Sequence, residues 1–324
     1  MAAPVQSVQE PQSTRALLMV RPASFGSNPQ TAASNAFQHA AAGAATEWQG
    51  LALAEFEDVA RALQRAGAEV LISEDTRSPA KPDAIFPNNW VSFHADGTVV
   101  LYPMLAPNRR LERREDVLEQ VLRNGRFRVS RTIDLTHREA EGKFLEGTGS
   151  LVLDRAHRVA YASLSPRTHL DVLGEFAQAL DYELVTFDAH DGAGQPVYHT
   201  NVAMAIGTRF AVICGEAISE ASHRGAVFDK LRADGHEVID ISMRQMLEFA
   251  GNVLEIAGAG GSLVALSTTA WRGLEAAQRR ALEAQAQVVP VSIPTIERIG
   301  GGGVRCMLAE LHLPRAPEGR AGHP

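Results

Sequence analysis

The sequence predicts an α/β fold made of five repeated units arranged as a closed ring. Three observations carry that prediction. Short apolar runs of strand length alternate with segments whose apolar residues recur at helical spacing. The order strand, turn, strand, helix, strand returns along the chain from residues 89, 149, 201 and 252, and a closing strand follows from 304. The steps between these points are each roughly 50 to 60 residues, a spacing near that of repeat architectures. One such unit cannot cover its own apolar faces, so the units must pack on one another.

Taken in order, residues 1–14 are polar and read as a disordered lead-in. They lack the charged and apolar regions of a secretory signal. The run 16–20 (ALLMV) is a buried strand ended by Arg21-Pro22. The stretch 25–38 is rich in Asn, Ser, Pro and Gln and reads as a loop and candidate lid. A helix is expected over 51–66 and a strand over 69–72. The next unit reads as strand 90–94, strand 99–102, helix 112–123 and strand 126–133. The third reads as strands 151–154 and 159–162, helix 168–180 and strand 183–187. The fourth reads as strands 202–206 and 210–214, helix 219–234 and strand 237–241. The fifth reads as strands 253–256 and 263–267, helix 270–286 and strand 288–293. A last strand, 304–311, completes the unit begun at the N-terminal end, which closes the ring. The expected domain is 15–314, with 315–324 as a flexible tail.

Composition narrows the class. Of 324 residues, 45% are hydrophobic and 21% charged, as in soluble globular proteins. The net charge is -7, with both signs interspersed, which argues against nucleic acid as partner. No apolar run approaches the roughly 20 residues that span a bilayer. Two cysteines give no disulfide framework and point to a reducing, cytoplasmic setting. The histidines lack the close ligand pairs of a zinc site, so no metal is expected. The glycine run 300–303 lacks the Lys-Ser/Thr of a phosphate loop, so no nucleotide cofactor is expected.

Polar residues fall at the starts of the units. They are Asn88-Asn89, Glu146 with Gly147-Thr148-Gly149, His199-Thr200-Asn201, Asn252 and Cys306. In a ring, equivalent strand starts converge on one end of the axis. A thiol, an imidazole, a carboxylate and amides then share one cavity, the set that covalent catalysis requires. Taken alone, Cys306 reads equally as a buried, inert thiol behind a glycine turn. Cys214 lies in an apolar run and reads as core.

These motifs carry a resemblance. Phe86-Pro87-Asn88-Asn89, Glu146-Gly147-Thr148-Gly149, Ser165-Pro166-Arg167-Thr168, His199-Thr200-Asn201 and Gly302-Gly303-Val304-Arg305-Cys306-Met307 resemble, in order, those of the guanidine-modifying (pentein, amidinotransferase-like) superfamily. That superfamily includes arginine deiminase, dimethylarginine dimethylaminohydrolase and succinylarginine dihydrolase. The resemblance implies a five-bladed αβ propeller (pentein) of ββαβ repeats. It also implies Cys306 as nucleophile, His199 as acid/base and Glu146 as the partner of a substrate nitrogen. Arg167 falls where the α-carboxylate is held, and Asp83 where the α-amino group is held.

The departures set the expected substrate. Asn89 and Asn201 stand where deiminase-like sequences have Asp. A buried cation that loses its carboxylate typically costs about 3–5 kcal/mol. Asn offers one acceptor and one NH2 donor, which matches a neutral ureido group. The chain is also similar to the citrulline-using subgroup, including Arg21-Pro22 and Asn28-Pro29-Gln30-Thr31. The expected reaction is citrulline to ornithine, carbon dioxide and ammonia, with His199 as an imidazolium that lowers the thiol pKa. Alternatives are a deiminase or dihydrolase acting on arginine, methylarginine or acylarginine, and a non-catalytic pentein binding protein. Gly149 replaces the Asp that ends the family's motif. Arg109, Arg110, Arg113 and Arg114 read as a solvated helix face. The expected partner is a small-molecule amino acid, and a homodimer is left open.

Overall fold

Strand sequences of this chain sort themselves by depth. The computed structural model describes residues 10–39 and 45–316; residues 1–9 of the expected lead-in 1–14 and residues 317–324 of the expected tail 315–324 lie outside the described residues. Strand β1 (Ala16–Arg21) runs parallel to β2 (Glu69–Glu74). The following sheets are β3 (Val91–Phe93), β4 (Thr98–Leu101) and β5 (Arg131–Asp134), then β6 (Val152–Asp154), β7 (Val159–Ser163) and β8 (Glu183–Phe187). Next come β9 (Met204–Ile206), β10 (Phe210–Ile213) and β11 (Glu237–Asp240), then β12 (Leu254–Gly258), β13 (Gly261–Ser267) and β14 (Gln287–Val291). Strand β15 (Ala309–Glu310) returns to pair antiparallel with β1. The result is an α/β fold of five three-stranded sheets.

Each sheet has the same plan. A first strand runs antiparallel to the middle strand, and the last strand lies parallel to it. A parallel pair needs a crossover, and in each unit a helix supplies it. These helices are Ala45–Ala66, Glu115–Gly125, Leu170–Leu180, Ala221–Ala233 and Ala276–Gln285. First and middle strands are nearly all buried, which their unbroken apolar runs require. The last strands β5, β8 and β11 keep exposed positions and form the outer edge.

Two sequence expectations change. The helix expected over 270–286 is two helices, Thr268–Gly273 and Ala276–Gln285. Ser267 caps the first, and Glu275 forms a capping box with Gln278 that starts the second. The strand expected over 304–311 is a helical turn, Val304–Met307, followed by the two residues of β15. Similar short helical turns precede other first strands: Pro87–Asn89, Gly147–Ser150 and Thr200–Ala203. The polar residues at unit starts therefore sit on turns rather than on the strands themselves.

The lead-in reading also stops short of residue 10. Glu10 and Gln12 are buried. Glu10 Oε1 accepts from the buried Arg155 Nη1 at 2.6 Å, and Tyr182 donates to Glu10 Oε2 at 3.0 Å. Gln12 Nε2 donates to Leu153 O and Ile206 O, tying strands β6 and β9 together. A buried charge with a matched partner holds this segment in place, whatever its polar composition suggests.

Candidate active site

The glycine run sets the thiol. A helical turn, Ile296–Gly300, ends where Gly301 takes the left-handed conformation (φ 66°), a shape glycine adopts without strain. The chain then passes Gly302 and Gly303 into the turn Val304–Met307 that carries Cys306. Cys306 is buried. Its sulfur lies 3.3 Å from Asn252 Nδ2 and 3.9 Å from Asn201 Oδ1. Burial pushes the thiol pKa up, against the Asn252 hydrogen bond and the Arg305 charge.

Cys306 and His199 line one small cavity, with Asp83, Asn89, Arg109 and Arg167 as its polar wall. Glu146 stands just behind it. His199 Nε2 lies 2.9 Å from Glu146 Oε2. Arg167 and Arg109 approach the same oxygen at 3.4 and 3.5 Å. Glu146 Oε1 accepts from the Leu105 N–H at 3.1 Å. Burial alone would raise the Glu146 pKa, but Arg167, His199 and Arg109 together hold its carboxyl well below the usual range. Burial pulls His199 down to about 4, with the two arginines adding to the effect and Glu146 opposing it. His199 is thus neutral at pH 7, not the imidazolium that the sequence reading expected. An ionised carboxylate only accepts, so His199 carries its proton on Nε2 and leaves Nδ1 bare.

Nδ1 looks across Gly149. A Cβ built there would lie 2.5 Å from Asn89 Nδ2 and 2.8 Å from His199 Nδ1. The missing side chain at 149 is therefore what lets the amide and the imidazole approach each other.

Asn89 lies on the turn Pro87–Asn89 and its side chain is engaged within the protein. Its Nδ2 donates to Asn88 Oδ1 at 2.9 Å, and its Oδ1 accepts from Arg109 Nη1 at 2.9 Å. Asn201 is not in the cavity wall. Its Nδ2 donates to Thr148 O at 3.0 Å, and the residue lines a separate space with Gln12, Arg155 and Arg305. The helical turn Thr200–Ala203 aims it behind the thiol, which a strand start at 202 would not do.

Arg109 was missed by sequence reasoning. It is buried on a helical turn, Pro107–Glu112, and makes a two-pronged contact with Glu112 at 2.9 Å on each arm. The signal was present: an Arg three residues before Glu, on a turn opened by Pro. Glu112, Asp83 and Glu146 outweigh burial and keep Arg109 firmly protonated. Burial raises Glu112 to about 7 despite Arg109. Asn252 was noticed only as a unit start, and nothing in its neighbours advertises a contact with sulfur.

The stretch 25–38 covers the cavity. Asn28 Nδ2 donates to Asp83 Oδ2 at 2.7 Å. Arg167 Nη2 donates to Ser34 Oγ at 2.8 Å and to Thr31 O at 3.3 Å. Asn35 Nδ2 reaches Gly300 O and Gly301 O at 3.4 and 3.3 Å. Asp83 Oδ1 is buried and has no partner among the described residues.

Away from this cavity, Asp154, His157 and His236 come together with ligand-type atoms within 4.8 Å of one another. Asp154 and His157 lie three residues apart on one turn, and only packing of the neighbouring sheet brings His236 to them, which hides the grouping from the sequence. Hydrogen bonds of 2.9 Å (His157 Nδ1) and 2.7 Å (His236 Nε2) to Asp154 already account for the grouping.

A family model described as N,N dimethylarginine dimethylhydrolase, eukaryotic, matches residues 21–313. The chain belongs to the dimethylarginine dimethylhydrolase family. The family's members are hydrolases of carbon–nitrogen bonds, and the chain is an enzyme of that class. No curated protein matches it. Among solved structures, the chain is similar to ArgZ, an arginine dihydrolase from the ornithine-ammonia cycle in cyanobacteria. Identity is 17% and the TM-score 0.72, over 93% of this chain and 41% of that one. Against the isolated N-terminal domain of ArgZ bound to substrate, identity is 16% and the TM-score 0.70, over 92% of this chain and 99% of the domain. A dimethylarginine dimethylaminohydrolase from Pseudomonas aeruginosa complexed with citrulline gives 16% and 0.64, over 92% and 100%. The family member thus spans about two fifths of full-length ArgZ and nearly all of its N-terminal domain. At these identities the structures establish a shared fold. No helix among the described residues is long and apolar enough to cross a membrane.

Proposed function

We propose that this family member is a cysteine hydrolase of the terminal guanidino group of an arginine-type amino acid, and that it carries the ureido intermediate on to ornithine. One observation carries the reading: a thiol and a neutral imidazole share a cavity whose wall holds a carboxylate oxygen without a partner, Asp83 Oδ1. A buried carboxylate oxygen without a partner favours a cationic group, here the α-ammonium of an amino acid. The choice of a guanidino over a ureido end rests on the engaged Asn89 and on the relatives' names. Asn89 weighs less than its sequence position suggested, because both its amide atoms are already engaged. The names of the solved relatives, an arginine dihydrolase and a hydrolase holding citrulline, favour both ends of this sequence of reactions.

In this scheme the cationic substrate brings positive charge to Cys306 and draws the thiol into its reactive form. Sulfur bonds to the guanidinium carbon and the C–N bond to one terminal nitrogen breaks. The thiol proton passes by way of His199 Nδ1 to that nitrogen, which leaves as ammonia. Water, deprotonated by His199, then breaks the S–C bond and leaves citrulline. A second round on the ureido group gives ornithine, carbon dioxide and ammonia. Arg167 and Asp83 hold the α-carboxylate and α-amino group, Arg109 adds to the carboxylate contact, and Glu146 fixes the tautomer of His199. Asn201 acts behind the thiol. The same reading takes the five sheets as blades of a propeller, within one catalytic domain of residues 15–314 acting in the cytoplasm.

The test is ammonia release from arginine and from citrulline side by side, with products followed by mass spectrometry. Ornithine from both supports the reading. Ornithine from citrulline with arginine inert restricts the substrate to ureido compounds, and silence on both rejects the proposal. Cys306→Ser is expected to remove all turnover while thermal unfolding stays unchanged.

A further inference from the structure

An unclaimed space lies on the far side of the lid's inner end. It is a cleft of about 700 Å³ that shares no lining residue with the catalytic cavity. Phe37, Leu247 and Phe249 give it an apolar wall, and Glu297 and Arg298 give it charge. Phe249 and Phe37 pack against each other with ring centroids 5.1 Å apart.

The two charges are unusual for their place. Glu297 is 6% exposed, and its Oε1 has no partner among the described residues. Its other oxygen accepts from Thr269 Oγ1 at 2.7 Å, so the side chain is fixed while one acceptor is left over. Burial raises the Glu297 pKa, against the Ser267 and Thr269 hydroxyls and with the Glu55 charge adding to it. Arg298, next in the chain, is exposed, and its guanidinium has no ion-pair partner among the described residues. A buried carboxyl with an acceptor left over and an exposed guanidinium therefore border one cleft beside an aromatic wall.

From this we infer that the cleft is a second binding site, for a free amino acid with an apolar side chain. The ammonium group would pair with Glu297, the carboxylate with Arg298, and the side chain would lie on Phe37 and Phe249. The first contact answers the acceptor left over on Glu297, and the second gives the exposed Arg298 a counter-charge. A singly charged amine or acid would answer only one of the two.

The position gives such a ligand leverage on the lid. Arg298 O accepts from the His39 N–H at 2.9 Å, and Phe37 also packs on Tyr198 at 5.9 Å, beside His199. The helical turn that carries Glu297 leads directly to Gly300 and Gly301, whose carbonyls the lid's Asn35 holds. A ligand in the cleft thus touches the lid and the strap to the nucleophile at once.

Isothermal titration with L-phenylalanine tests the inference, with 2-phenylethylamine and 3-phenylpropionate as singly charged controls. Saturable binding of L-phenylalanine is expected, at least tenfold tighter than of either control. Glu297→Gln and Arg298→Ala are each expected to weaken it at least tenfold, and excess arginine is expected to leave it unchanged in the Cys306→Ser protein. Arg298 is exposed, so its substitution keeps the test valid should Glu297→Gln disturb the fold. No heat of binding overturns the inference. So does binding that survives both substitutions, or binding displaced by arginine, which would place the ligand in the catalytic cavity. The readout is binding, so a failure of the dihydrolase reading leaves this result standing.

Discussion

At Cys306 the surroundings decide reactivity more than the thiol does. Burial raises its pKa and outweighs the Asn252 hydrogen bond and the charges of Arg305 and Arg109 that ease its ionisation. Alkylation of the free enzyme by iodoacetamide should therefore rise about tenfold per pH unit from 7 to 8.5, as a thiol with a raised pKa requires. A plateau in that range would show a preformed thiolate and overturn the neutral-pair description. Gly149 offers a second check at the same scale. Gly149→Ala places a methyl against Asn89 Nδ2 and His199 Nδ1. We expect kcat to fall at least tenfold with the unfolding temperature little changed; full activity would mean that the two groups can part without cost. Sequence reasoning grouped Cys306, His199, Glu146, Asp83, Asn89 and Arg167 by their residue types and order, and the structure brings them close together. It put Arg109 on the surface because charge runs usually are solvated, and burial of one member is a tertiary fact. It put Asn201 in the cavity because it assumed a strand where the chain makes a helical turn.

At the scale of elements, strands and crossover helices were legible wherever the apolar period was long enough to read. Turns of a few residues, such as Gly147–Ser150, have no period and were not. The lid was legible only as composition. Its grip is now explicit: Asn28 on Asp83, Ser34 on Arg167, Asn35 on the glycine strap. A hydrogen bond of this kind contributes about 1 kcal/mol. Asn35→Ala should loosen the closed lid and raise KM for the amino-acid substrate roughly fivefold, with a smaller change in kcat. An unchanged KM in steady-state assays would show that Asn35 has no part in closure.

Across the whole molecule, a buried charge cluster ties the N-terminal segment to the sheets. Arg155 pairs with Glu10 at 2.6 Å and lies 3.9 Å from Glu310, which Arg305 and His312 also reach. Despite burial, Arg155 holds Glu10 well below its ordinary 4.5, and Arg305 and Arg155 hold Glu310 at about 2. Burial keeps His94 and His312 below their ordinary 6.5. All four folded-state pKa values are depressed, so each group's contribution is complete above its unfolded value and is lost as pH falls. Stability should therefore decline below about 6.5, as the histidines take up protons on unfolding, and more steeply below about 4.5 as the carboxylates do. Glu10→Gln leaves Arg155 under-compensated and should cost about 3–5 kcal/mol at pH 7, with a shallower decline below 4.5. Denaturant unfolding across pH measures both, and a variant as stable as the parent would show the cluster to be incidental.

The sheet shared by β1 and β15 has a consequence for the order in which the molecule comes into being. Strand β1 is synthesised long before its antiparallel neighbour β15. Closing so long a loop delays that pairing in any folding scheme. Cys306 lies just ahead of β15, so the nucleophile is delivered by the same late event that joins the two ends. A nascent chain stalled between β14 and Cys306 holds four complete sheets and no thiol in the cavity, and so stays inert until β15 has been made.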